Sequence, residues 1–200
     1  RRLVAEGALE RLGTRPILEA SQLGGILLHP GGFAIVGARL LFTKAGFGET
    51  VWVTDGTPAA AGPLGGIPPA HDFDQIDFCG SDARIGYFRR IRYGEGGTLF
   101  RTDGTAAGTS APAPPNTFGI CGGSVLSGGR LWGATYVDGG QDPSFLVTDG
   151  TVAGSRKSGP LPGHPRPVEV RGGTAIFLLR EGDEALPSLW TSDGTPAGTR

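Results

Sequence analysis

The 200-residue chain sets 18 Lys and Arg against 19 Asp and Glu. That balance argues against a nucleic-acid partner, which calls for a basic excess or patch, and no apolar run approaches the roughly 18 residues of a membrane span. Gly (37) and Pro (16) are abundant, a composition that reads as disorder without a period and as a turn-rich repeat with one.

The first residues carry two readings. Leu3-Val4-Ala5-Glu6-Gly7-Ala8 parallels Trp52-Val53-Thr54-Asp55-Gly56-Thr57. Equally, Leu3, Val4, Ala8, Leu9 and Leu12 share one face of a short helix. Residues 1–13 therefore stand as a degenerate partial unit or a short helix. With no Met and with Arg1-Arg2 at its start, the chain reads as a processed piece or an excised domain.

Further along, a period is plain. Thr54-Asp55-Gly56-Thr57 recurs as Thr102-Asp103-Gly104-Thr105, as Thr148-Asp149-Gly150-Thr151 and as Ser192-Asp193-Gly194-Thr195, the aspartates 48, 46 and 44 residues apart. Trp52, Phe100, Leu146 and Trp190 stand three places before each Asp. Before each motif come two apolar stretches. The first are Phe33–Val36, Ile76–Cys79, Val125–Ser127 and Val168–Val170, and the second are Leu40–Thr43, Ile85–Ile91, Leu131–Tyr136 and Ala175–Leu179. Gly37-Ala38, Gly80-Ser81, Gly128-Gly129 and Gly172-Gly173 separate them, as hairpin turns require. A third stretch leads into the motif, and a weaker fourth follows it, worn by Pro and Gly after Asp55 and Asp103. Four short strands per unit of about 46 residues is the grammar of a propeller blade. The sequence predicts an all-β, propeller-like array of about four four-stranded units, 14–57, 58–105, 106–151 and 152–200. It is either a closed four-bladed ring, with Thr14–Leu18 completing the last blade, or a fragment of a larger propeller.

Trp52-Val53-Thr54-Asp55-Gly56-Thr57-Pro58-Ala59, and still more Leu189-Trp190-Thr191-Ser192-Asp193-Gly194-Thr195-Pro196-Ala197-Gly198-Thr199, resembles the bacterial ELWxxDGT repeat, also called hyalin-like. The resemblance covers essentially the whole chain. It implies a propeller-like β fold on large secreted or surface proteins, and it implies no catalytic residues.

Four features of the sequence are candidates for chemistry. Asp-Gly-Thr at Asp55, Gly56, Thr57, at Asp103, Gly104, Thr105, at Asp149, Gly150, Thr151 and at Asp193, Gly194, Thr195 reads as a turn lock. Asp accepts from the backbone two residues on, Gly takes the positive φ, and Thr bonds locally. A repeated Ca²⁺ site is the functional alternative, but six to eight oxygens are needed and one Asp per unit falls short. No cofactor is otherwise implied. Second, His29, His71 and His164 precede first strands, on the end of the blades that also carries Glu49, Glu95, Asp138, Asp142 and Asp183. That end is the candidate ligand face. Third, Asp72, Asp74 and Asp77 form an acidic run, read as a solvated loop with a metal site as the weaker alternative. Fourth, Cys79 and Cys121 fall at neighbouring blades near the channel, so a disulfide is sterically conceivable, though a free buried Cys is common too. With no nucleophile elbow or metalloprotease motif, the expected role is non-catalytic binding or scaffolding at the cell surface, with a protein or glycan ligand. A propeller enzyme acting on carbohydrate is the alternative.

Overall fold

Alternating apolar and polar residues write strands, and Gly-rich dipeptides fold them back as hairpins. The computed structural model describes residues 32–44, 48–92, 96–111, 121, 123–137, 141–182 and 186–200. Among them lie four antiparallel sheets, each a meander contiguous in sequence. The first holds β1 (Phe33–Val36), β2 (Arg39–Lys44), β3 (Thr50–Thr54) and β4 (Gly62–Pro63). The second holds β5 (Gln75–Ser81), β6 (Gly86–Arg92) and β7 (Gly96–Thr102). The third holds β8 (Val125–Ser127), β9 (Arg130–Val137), β10 (Gln141–Thr148) and β11 (Arg156–Pro160). The fourth holds β12 (His164–Arg171), β13 (Thr174–Arg180) and β14 (Ser188–Ser192).

Three hairpins turn at the dipeptides the sequence offers: Gly37-Ala38 joins Val36 to Arg39, with Gly37 at φ 60°, and two Gly-Gly pairs serve sheets three and four. Gly128-Gly129 (φ 59° and 75°) joins Ser127 to Arg130, and Gly172-Gly173 (φ 56° and 79°) joins Arg171 to Thr174. Such doubly positive φ is the demand of a two-residue hairpin turn. Sheet two departs from the expectation. Gly80-Ser81 is not its turn: Gly80 lies in a bulge of β5, and the chain reverses at Asp82–Ile85. The carboxylate of Asp82 accepts from the N–H groups of Arg84 (2.7 Å) and Ile85 (2.9 Å), so this loop closes without glycine.

The fourth strand varies as its sequence dictates. It is five residues long after Asp149, two after Asp55, and a single bridge from Ser110 to Arg101 after Asp103. In the fourth sheet Arg200 takes this place, exchanging two backbone bonds with Thr191. Every sheet thus runs on past its Asp-Gly-Thr turn. The expected pairing of Thr14–Leu18 with the last blade, and residues 1–13, lie outside the described residues.

Three apolar cores join the four sheets in series. Leu41 and Val51 of sheet one meet Phe88 and Phe100 of sheet two. Tyr87 and Leu99 of sheet two meet Leu131 and Leu146 of sheet three. Trp132 and Phe145 of sheet three meet Phe177 and Leu179 of sheet four. Rings stack within the second sheet, Phe88 on Phe100 at 5.1 Å, and across the third interface, Phe145 on Phe177 at 4.8 Å. No comparable packing joins sheet four to sheet one among the described residues. Of the residues three before each Asp, Phe100, Leu146 and Trp190 pack between sheets, whereas Trp52 lies on the outer face of sheet one, opposite Leu41 and Val51.

The two cysteines are bonded. Cys79 of β5 and Cys121, ahead of β8, form a disulfide with Cα atoms 4.4 Å apart, inside the second core.

Candidate functional site

The Asp-Gly-Thr turns form one end of the array. Thr105 donates its backbone N–H (2.8 Å) and its hydroxyl (2.6 Å) to a single oxygen, Asp103 Oδ1. The same pair of bonds recurs from Thr57 to Asp55, from Thr151 to Asp149 and from Thr195 to Asp193. Behind the turn of sheet two, Thr102 Oγ1 accepts from Gly104 N–H at 2.9 Å and meets Thr109 Oγ1 at 2.7 Å. Thr148 with Ser155 and Ser192 with Thr199 repeat that contact.

Glycine is demanded here by close approach. A Cβ on Gly108, Gly154 or Gly198 would stand 2.1 Å from the carboxylate of Asp103, Asp149 or Asp193. The turn glycines serve a second purpose that the sequence pattern hides. A Cβ on Gly104 would meet Arg39 Cδ at 2.9 Å, and one on Gly150 would meet Arg101 Cδ at 2.1 Å. The turns of sheets two and three are therefore each the landing place of an arginine from the preceding sheet, whereas a Cβ on Gly194 would first meet Val147 and one on Gly56 would meet nothing within 4 Å.

The bond from the Thr hydroxyl, followed by that from the Thr backbone, holds all four Asp carboxyls below the usual carboxylate range. The sign follows. A carboxyl depressed in the folded state stabilises above its unfolded pKa, and that contribution fades as pH falls through the lower folded value. Asp103→Ala should cost about 1 kcal/mol at neutral pH. The difference between variant and wild type should shrink as urea unfolding is repeated at ever more acidic pH. A difference that stays constant with pH would mean that the carboxylate is not the group responsible.

At the opposite end, the β2–β3 loop of sheet one meets the segment entering sheet two. Glu49 donates its backbone N–H to Asp74 O at 2.8 Å and accepts Ile76 N–H on Oε2 at 2.7 Å. A Cβ on Gly48 would fall 2.0 Å from His71 O. Two of the sequence candidates, Glu49 and His71, are thus brought together. His164 is the first residue of β12 rather than a loop residue, and the prolines that follow, Pro165 and Pro167, sit on the edge strand of its sheet, where a missing donor costs no ladder bond. His29, Glu95, Asp138 and Asp183 lie outside the described residues, as does the side chain of Asp142 in β10.

The acidic run does not converge. Asp74 is buried, facing Arg92 Nε at 3.3 Å and Arg90 Nε at 3.8 Å. Asp77 pairs with Arg89 at 2.5 Å, and Asp72 is exposed. Among the described residues no three His, Cys, Asp or Glu gather to hold a metal ion. Burial alone would raise the Asp74 pKa. The His71 N–H and the guanidinium groups of Arg92 and Arg90 outweigh it and leave the carboxyl below its ordinary value. The arginines were not legible as site residues, yet a signal existed. Asp77 and Arg89 are direct cross-strand partners, so counting the hairpin register would have set 74–77 against 89–92.

This ion cluster fixes a turn. Asp74 N–H donates to His71 O at 3.1 Å, and Asp74 Oδ2 accepts His71 N–H at 2.9 Å. Between them Phe73 is held at φ 67°, the only positive φ outside glycine among the described residues, with its side chain 80% exposed. Positive φ is costly for a bulky residue. Beside the turn, a cavity of ≈160 Å³ is walled by Val51, Leu64, Ile67, Pro68 and Ile76, with Arg90 and Glu49 as its charged groups. Arg90 Nη1 donates to Pro68 O at 2.8 Å, which ties the loop to β6.

No family model and no curated protein matches the chain. A puromycin hydrolase mutant complexed with PGG is 14% identical, with a TM-score of 0.48 over 94% of this chain and 34% of its own. An alpha-L-arabinofuranosidase, CtGH43, from Clostridium thermocellum is 13% identical, with a TM-score of 0.38 over 84% of this chain and 70% of its own. TolB from Acinetobacter baumannii is 16% identical, with a TM-score of 0.50 over 82% of this chain. The chain spans 41% of the TolB chain, and this likeness is one of fold, a β-propeller-like array.

Proposed function

We propose that the chain is a non-catalytic binding or scaffold module of the ELWxxDGT type, carried by a secreted or surface bacterial protein. Its binding end is the junction of Glu49, His71 and Phe73 between sheets one and two. The observation that carries this reading is Phe73. A strained backbone, held by the buried Asp74–Arg90–Arg92 cluster, presents an aromatic ring to solvent beside a small apolar cavity. An exposed aromatic face suits an apolar protein side chain or the face of a sugar ring. The disulfide supports an oxidising compartment.

A second reading, an enzyme acting on carbohydrate, draws on the fact that this ion cluster belongs to one interface and does not recur among the described residues. It needs a carboxyl poised to donate a proton, with its pKa raised, and Asp74 is shifted the other way. Titration calorimetry against soluble polysaccharides and surface-protein ectodomains tests the proposal. Phe73→Ala should weaken binding at least tenfold with melting temperature unchanged. Equal binding by the variant would remove the assigned site.

A further inference from the structure

We infer that the two outer faces of the array are the halves of one more inter-sheet interface, and that two copies of this chain join head to tail through them. The inference does not depend on the ligand site above.

Register makes the faces comparable. The residue four before each motif Asp points towards the following sheet. Val51 is 2% exposed, Leu99 0% and Phe145 0%, while Leu189, the same position in sheet four, is 68% exposed. Leu178, its cross-strand partner, shares that uncovered tail face. At the head, β1 alternates cleanly. Ala34 and Val36 are buried against sheet two, and Phe33 and Ile35 on the other face are each 59% exposed.

The head face of sheet one also copies the head face of sheet two. Phe42 and Trp52 are direct cross-strand partners, as are Phe88 and Phe100. Lys44 lies over the Trp52 ring at 4.5 Å, and Arg90, at the matching position of β6, lies over Phe100 at 5.3 Å. In sheet two that face takes sheet one, and Phe100 is 1% exposed. The partner that fits the head is therefore the kind of face found at the tail, an aliphatic sheet surface of the same register. Continuity with three interfaces already built from these positions names the occupant as another sheet of this repeat. A second copy supplies one. Two unlike patches make a heterologous contact, which closes or propagates according to its rotation. Two copies would bring together eight of the described sheets, the upper end of the roughly 4–8 blades of closed propellers.

Analytical ultracentrifugation of the 200-residue chain over a concentration series tests this. The wild type should show a concentration-dependent dimer or larger species. Phe33→Asp with Ile35→Asp charges the head, and Leu189→Asp charges the tail. These side chains are exposed, so each variant should keep its circular dichroism and melting temperature while its association constant falls at least tenfold. Mixing the two variants should restore a heterodimer, because one intact head then meets one intact tail. A wild type that stays monomeric at the highest attainable concentration overturns the inference, as intramolecular closure or another occupant would give that result. So does a dimer that survives both variants, or a pair of variants that fails to associate on mixing.

Discussion

Replacing both Cys79 and Cys121 with alanine should lower stability by about 4 kcal/mol in the chain-entropy account of a bridge closing a loop of this length, the cysteines being 42 residues apart. For a chain of this size that corresponds to a melting temperature lower by about 8–16 °C. Alanine is the better test than serine, since both sulfur atoms sit in the second apolar core and a buried hydroxyl would add a penalty of its own. Reductant should shift the wild type by a similar amount and leave the double variant unmoved. If thermal melting of the double variant matched the oxidised wild type, the bridge would contribute nothing to holding sheets two and three together.

Phe177→Ala should cost about 3–5 kcal/mol, the range for deleting a fully buried aromatic ring. Phe177 is 0% exposed, stacks on Phe145 across the third interface and touches Trp190 at 6.3 Å between ring centres. Its loss empties the contact that fastens sheet four to sheet three. In a serial array each unit contacts only its neighbours, so hydrogen exchange should rise most in residues 164–200 and least in residues 33–63. Ile176→Ala, one residue away on the uncovered face, is the control and should cost about 1 kcal/mol or less. Equal losses from the two variants would contradict the assignment of faces.

The strands and the four turn locks could be read directly because both are local. Period-two alternation writes Phe33–Val36 and Thr174–Arg180 without reference to anything distant, and an Asp that bonds the Thr two places on needs no tertiary context. Where distant groups decide, the sequence was silent or misleading. Gly80 carried the composition of a turn, but the carboxylate of Asp82 made a glycine-free reversal four residues wide and left Gly80 as a bulge. The disulfide stood open because spacing does not report a Cα separation. The acidic run suggested solvent, yet burial of Asp74 is set by arginines fifteen or more residues later. Phe73 gave no signal at all, since an exposed aromatic at positive φ is a property of the loop around it.

Contiguity of each sheet bears on how the molecule is made. Sheet one is complete once residue 63 has left the ribosome, and sheet two once Ser110 pairs with Arg101. Few long loops have to close before a sheet gains its ladder bonds, which is the kinetic advantage of local pairing. Cys79 is thus already fixed in β5 when Cys121 emerges, and it has waited as a lone thiol for the synthesis of 42 residues. Oxidation then seals a junction between two finished pieces instead of guiding either of them, so a cell slow to oxidise should accumulate a chain with native sheets and one unsealed seam.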